Sequence, residues 1–231
     1  MESVIHNLSI PTASNIMQII DNAITTLVGE DLRGAYKWFA ILAGANGFIY
    51  GIPFHGRRVI KFNPIDKSMT RIGPDLGDGS KWYEGAMADN GIIYCVPFDS
   101  NHGILKIDTK TDTAKERNRN LLPELGTSTY SVWESCAVAR SGCNYFMPYN
   151  ARRIMKLDPN NNDSISSVGD DLGSGKYKYR GTVVGINGWV YGMPYKSKHI
   201  IKYDPINGNT SFVGEEAAEY FHLHRRCFRK R

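Results

Sequence analysis

The chain of 231 residues has no apolar run approaching the roughly 18 residues that a membrane-spanning helix requires. Its opening, "MESVIHNLSIPTASN", lacks the charged and apolar regions of a secretory signal, so a cytoplasmic location is expected. Cysteine is scarce: Cys95, Cys136, Cys143 and Cys227 are the four present, too few for a disulfide scaffold, and no Cys-x-x-Cys pair suggests zinc. They are read as free thiols. The formal net charge is a mild +5, much of it in the closing "RRCFRKR", which makes nucleic acid an unlikely partner. No glycine-rich phosphate loop opens a helix, and the six histidines form no repeated metal set. No cofactor and no metal are expected.

What the sequence does have is repetition. A Tyr-x-x-Pro step recurs as "YGIP", "YCVP", "YFMP" and "YGMP" at Tyr50, Tyr94, Tyr145 and Tyr191, at spacings of 44, 51 and 46 residues. Twelve residues before each tyrosine stands an aromatic: Trp38, Trp82, Trp133 and Tyr179. Between the two lies Asn46-Gly47, Asn90-Gly91, Ser141-Gly142 or Asn187-Gly188, read as a two-residue type I′ hairpin turn. After each proline come a β-rich run ending in a turn, such as "HIIKYDPIN", and a short run ending in glycine, such as "SSVGDDL". Each unit therefore reads as four short strands, and the fold class as an all-β propeller of four-stranded antiparallel blades.

Four full repeats fall at about 37–80, 81–130, 131–177 and 178–216. The N-terminal "LSIPTASNIMQIIDNAITTLVGEDL" aligns with a blade entered at its second strand, so residues 5–29 supply three strands of a fifth. The tail, residues 219–228, is placed to supply its inner strand. Closing the ring in this way removes free sheet edges, and 1–231 is then one domain, expected to be monomeric. The alternative is a piece of a longer repeat protein with an irregular tail.

The units resemble those of kelch-like β-propeller repeats. The combination of "IG…LG.G..KW" with "NG.IYG.P" is similar in layout to five-bladed propeller lectins of the tachylectin-2 type. The resemblance implies a binding scaffold and, by layout, carbohydrate recognition.

Strand order places the turns "PFHGRR", "PFDSNHG", "PYNARR" and "PYKSKH" on one face with the links between blades. There Trp38, Trp82, Trp133 and Tyr179 are candidate platforms for sugar rings. Arg57, Arg58, Arg152, Arg153, Lys196 and Lys198 are candidate grips for hydroxyls or acidic groups. Against this stands the plainer reading that a repeated tryptophan packs between blades and that exposed turn arginines are solvated. Lys61, Lys106, Lys156 and Lys202 are expected to face solvent. Glu84 and Glu134 align one position apart, which by alternation sends them to opposite faces, so no catalytic acid pair is expected. The two functional readings are a nonenzymatic module for a glycan or acidic small ligand and a cytosolic protein-interaction scaffold.

Overall fold

The computed structural model describes residues 32, 34–98, 101–117 and 132–214. Within them sixteen strands form four antiparallel sheets of four, each a meander contiguous in the chain. The first sheet holds β1 (Trp38–Ala43), β2 (Ile49–Pro53), β3 (Val59–Phe62) and β4 (Met69–Ile72). The second holds β5 (Trp82–Met87), β6 (Ile92–Pro97), β7 (Leu105–Asp108) and β8 (Thr113–Glu116). The third holds β9 (Trp133–Val138), β10 (Asn144–Pro148), β11 (Ile154–Asp158) and β12 (Ser164–Val168). The fourth holds β13 (Tyr179–Val184), β14 (Val190–Pro194), β15 (Ile200–Tyr203) and β16 (Thr210–Val213). Each sheet's first strand packs against that of the next, β1 on β5, β5 on β9 and β9 on β13, so the first strands line the inside. The expected fifth blade, residues 5–29 with 219–228, lies outside the described residues, as do the ends of the second and fourth repeats.

The repeat exists because each sheet packs face to face on the next, and the second and third sheets are buried between two others. Three apolar cores occupy the three junctions between consecutive sheets. Tyr50, Ile52 and Val59 meet Trp82, Ile93 and Leu105; Tyr94, Val96 and Ile104 meet Trp133, Phe146 and Met155; Tyr145, Met147 and Ile154 meet Tyr179, Val190 and Ile201. A middle strand sandwiched in this way needs apolar residues on both faces, and β6, and β10 after Asn144, read as continuous apolar runs for that reason.

The hairpin turns differ from the expected type I′. Among the described residues only the glycines Gly47, Gly91, Gly142 and Gly188 carry positive φ there, near 80°, while the Asn or Ser before each does not. The bonds Gly44 N–H to Phe48 O and Gly47 N–H to Gly44 O define a three-residue loop, a type I turn followed by glycine in the left-handed region. The asparagine instead works through its side chain: Asn46 Nδ2 donates to the Tyr50 hydroxyl at 2.8 Å, and Asn187 Nδ2 to that of Tyr191 at 2.9 Å. The Asn-Gly and Tyr-x-x-Pro signatures are thus two ends of one hydrogen bond.

The lysines expected in solvent are also engaged. Lys61 Nζ reaches the Asp112 carboxylate at 2.5 Å, and Lys106 Nζ bonds Asp163, each in the third turn of the following sheet. The Tyr50 and Tyr94 hydroxyls donate to the same two carboxylates at 3.0 and 2.5 Å, and Arg117 adds a third donor to Asp163 at 3.0 Å. At the third junction the corresponding position is Asn209, and there the Tyr145 and Tyr203 rings meet at 5.5 Å. Lys156 approaches Asp158 at 3.7 Å, and Lys202 lies over the Trp189 ring.

Candidate functional site

Three of the four aromatic platforms expected from the repeat are buried between sheets. Trp82 and Trp133 are fully buried, and their indole N–H groups donate to the backbone carbonyls of Gly103 at 2.8 Å and Arg153 at 3.1 Å. Tyr179 is buried in the equivalent place. None of the three offers a ring face to a ligand, because each is the wedge that its sheet drives into the preceding one. Trp38, donating to Arg58 O at 3.0 Å, is only half-buried.

The basic turn residues are likewise tied into the links between sheets. Arg57 pairs with Asp75 at 2.8 Å and Asp78 at 2.7 Å, and Arg152 with Asp171 at 2.5 Å. Arg58 donates to the carbonyl of Gly73 at 2.6 Å, and Arg153 to that of Gly169. Lys196 lies over the Tyr177 ring, 4.4 Å from its centroid. The lysine before the second wedge also holds a link in place, since the fully buried Lys81 donates to the carbonyls of Gly77 and Gly79. Two clefts of about 450 Å³ do gather expected residues, one around Trp38, Arg57 and Arg58, the other around Tyr179, Lys196 and Lys198. Both are walled by aspartates as well as bases.

A different set of residues converges on the inside. The proline closing each second strand has no N–H, so the ladder to the inner strand cannot run on regularly. Each inner strand answers with a bulge. Phe39, Tyr83 and Glu134 are the extra residues opposite Pro53–Ile52, Pro97–Val96 and Pro148–Met147, and in the fourth sheet Arg180 and Gly181 together oppose Met193. Bulges re-aim side chains, and these four meet. The Phe39 and Tyr83 rings lie 3.9 Å apart, Arg180 donates to the Tyr83 hydroxyl from two sheets away, and Arg180 Nε is 3.7 Å from Glu134 Oε1. The expectation that Glu84 and Glu134 face apart fails here. Glu134 is itself the bulged residue and Glu84 follows one, so alternation does not carry across the site.

Around this cluster stand the aromatics that follow the four prolines. Phe54 contacts Phe39, Tyr83 and Phe98 at centroid distances of 5.5, 6.1 and 5.0 Å. Tyr149 meets Tyr195 at 5.7 Å, and Tyr195 lies 5.8 Å from the Arg180 guanidinium. Together these rings form an aromatic cluster on the turn-bearing face, called the cup below.

Burial governs its electrostatics. Burial first, then repulsion from Glu134, pushes the Glu84 carboxyl up to about 7, with Arg180 opposing. Burial also raises Glu134, against the pull of Arg180 and a hydrogen bond from Tyr83. Glu134 Oε2 is buried and has no hydrogen-bond partner. Burial and the nearby Glu134 push the Tyr149 hydroxyl to about 12. Phe39, Tyr83 and Arg180 escape a reading of the sequence by its repeats, although they leave a signal in it: one position after each wedge, an otherwise uniform repeat carries Phe, Tyr, Glu and Arg.

No family model and no curated protein matches the chain. Solved structures do. The chain is similar to virginiamycin B lyase from Staphylococcus aureus, with 15% identity and a TM-score of 0.63 over 80% of this chain and 57% of that one. It is similar to the extracellular domain of a putative one-component system from B. thetaiotaomicron, with 8% identity and a TM-score of 0.59 over 78% and 25%. It is also similar to an auxiliary nutrient binding protein from Bacteroides ovatus, with 17% identity and a TM-score of 0.55 over 81% and 45%. The chain thus spans between a quarter and three fifths of these longer proteins. Their shared architecture is β-propeller-like, and the all-β chain with its four antiparallel four-stranded sheets has that fold.

Proposed function

We propose that the chain is a nonenzymatic binding module whose ligand is a glycan held in the aromatic cup. The observation that carries this reading is the convergence of the bulged Tyr83, Glu134 and Arg180 inside a rim of Phe54, Phe98, Tyr149 and Tyr195. Aromatic faces stack on the C–H faces of a sugar ring, while carboxylate and guanidinium groups exchange hydrogen bonds with its hydroxyls. An acidic small ligand, the other candidate, has less support because Arg57 and Arg152 are already paired with aspartates. That nutrient-binding and sensor proteins share the fold is compatible with a binding role; a lyase shares it too.

Calorimetric titration with neutral and charged sugars tests the reading, with Tyr83→Ala as the control. Saturable binding lost in the variant supports it; no binding to any sugar refutes it. A peptide displaced by moderate salt would instead favour the interaction scaffold.

We also propose a fifth blade from residues 5–29 and 219–228. The inner strands of the first and fourth sheets leave Ile41 72% and Val183 52% exposed, apolar surface that another inner strand would cover.

A further inference from the structure

We infer that the junction between the third and fourth sheets is the seam at which the cup opens, and that a bound sugar holds it shut. The seam follows from the sheets alone; its closure by a sugar rests on the glycan-binding reading.

The first two junctions share a polar clamp. Tyr50 stands opposite Lys61 on the paired strands β2 and β3, Tyr94 opposite Lys106 on β6 and β7, and each pair meets an aspartate of the next sheet, Asp112 or Asp163. The third sheet presents the same pair, Tyr145 opposite Lys156 on β10 and β11. Its aspartate is missing. The residue before the last strand, Asp112 in the second sheet and Asp163 in the third, is Asn209 in the fourth, exposed and without charge. Lys156 turns instead to Asp158 of its own strand, 3.7 Å away.

Other ties cross the third junction. Ser135 and Thr182 share a hydrogen bond of 2.6 Å, Arg140 donates to the Ile186 carbonyl at 2.7 Å, and the Asp170 N–H donates to the Thr210 hydroxyl at 3.0 Å. An ion pair crosses it too, Arg180 to Glu134, but at 3.7 Å it is beyond hydrogen-bond reach, and Glu134 Oε2 is left without a donor. The first sheet offers the comparison, since like the fourth it packs on one neighbour among the described residues. Its second strand is buried from Tyr50 to Pro53, whereas Met193 in β14 is 40% exposed. A sheet with less burial and no charged clamp is the one that opens first.

The fourth sheet brings Arg180 and Tyr195 to the cup. Arg180 donates to the Tyr83 hydroxyl on the second sheet, and Tyr195 meets Tyr149, in the turn after β10. Parting the junction withdraws both, while Phe54, Tyr83 and Phe98 keep their mutual contacts on the first two sheets. A sugar that touches both groups therefore binds the closed form alone, and by linkage it holds the sheets together.

The test is hydrogen exchange of the full chain under native conditions, read by mass spectrometry. Strands β13 to β16 are expected to exchange together and faster than β1 to β4. Asn209→Asp, which puts a carboxylate where Tyr145 and Lys156 lack one, should slow that block by up to about fivefold and leave β1 to β8 unchanged. A fourth sheet that exchanges no faster than the first would overturn the seam, as would an Asn209→Asp effect that is absent or spread over every sheet. Exchange is then repeated with glucose, glucosamine and glucuronate, each first titrated by calorimetry. At about a hundred times its Kd, a sugar that binds should slow the fourth sheet by up to about a hundredfold, because the open form has lost the site. Binding without slowing would overturn the closure and leave the glycan reading intact. No binding of any of the three would overturn closure and glycan reading together, and the seam would still be decided by the first comparison.

Discussion

The Lys61 ammonium lies 2.5 Å from the Asp112 carboxylate, across the junction between the first and second sheets. The same relation recurs one junction on, between Lys106 and Asp163, but in a less exposed setting. The Asp163 side chain is 12% exposed against 40% for Asp112, and it serves three donors. Breaking a buried, multiply bonded carboxylate strands its partners. Asp163→Asn should therefore cost about 3 kcal/mol and Asp112→Asn about 1 kcal/mol, read from urea unfolding.

The same clamp has an acid limit. Burial pushes the Asp163 carboxyl up, but Lys106, Tyr94 and Arg117 outweigh it and hold the group below its ordinary 3.8. A depressed carboxyl contributes its stability above the unfolded value and loses it as pH falls through the folded one. The stability gap between wild type and Asp163→Asn should thus be constant above pH 5 and close as pH falls below about 4, in unfolding curves taken across that range.

Asn144 occupies a position that is Ile49, Ile93 or Val190 in the other sheets, and both its amide atoms are buried without a partner. Replacing an unsatisfied polar side chain by an apolar one of similar shape removes a desolvation cost. Asn144→Val should stabilise by about 1–2 kcal/mol and raise Tm by a few degrees. A lower Tm would mean that this amide has a partner in solution.

Glu84 should be a pH-dependent liability. Its folded value of about 7 exceeds the ordinary 4.5, so the folded state holds a proton that the unfolded state has lost, and the cost grows as pH rises between the two. Glu84→Gln should be neutral near pH 4.5 and stabilising by about 2 kcal/mol at pH 8, allowing for partial solvent screening. Thermal melts at the two pH values check it, and equal effects at both would refute the assignment.

Removing the residues after Glu216 tests the fifth blade. Loss of an inner strand should lower stability by several kcal/mol and promote association through the uncovered edge. An unchanged Tm and a monomeric elution profile would refute the closure.

Much of the architecture was legible because each recurring residue answers a demand that every sheet shares. Trp82 and Trp133 recur as wedges, Gly91 and Gly142 as the left-handed step of a turn, and Tyr50 and Tyr94 as donors across a junction. What repeats marks the scaffold, which is why Trp82 and Trp133 are buried between sheets and Arg57 and Arg152 pair with aspartates of the links. The partners of Lys61 and Lys106 were hidden because they lie on the next sheet, 51 and 57 residues away, where only three-dimensional stacking brings them. The cup was hidden by the bulges. Counting by twos along β5 and β9 assigns Glu84 and Glu134 to opposite sides, and one unpaired residue per strand undoes the count.

That unpaired residue carries a wider consequence. A bulged position is released from the ladder, so its side chain can be exchanged without disturbing the register that holds the sheet. Phe39, Tyr83, Glu134 and Arg180 range from aromatic to anionic to cationic, yet each stands at the same break in an otherwise matching ladder. Each blade in effect contributes one freely chosen letter to a short central word, and a new ligand can be spelled by changing letters while the grammar of the scaffold stays untouched.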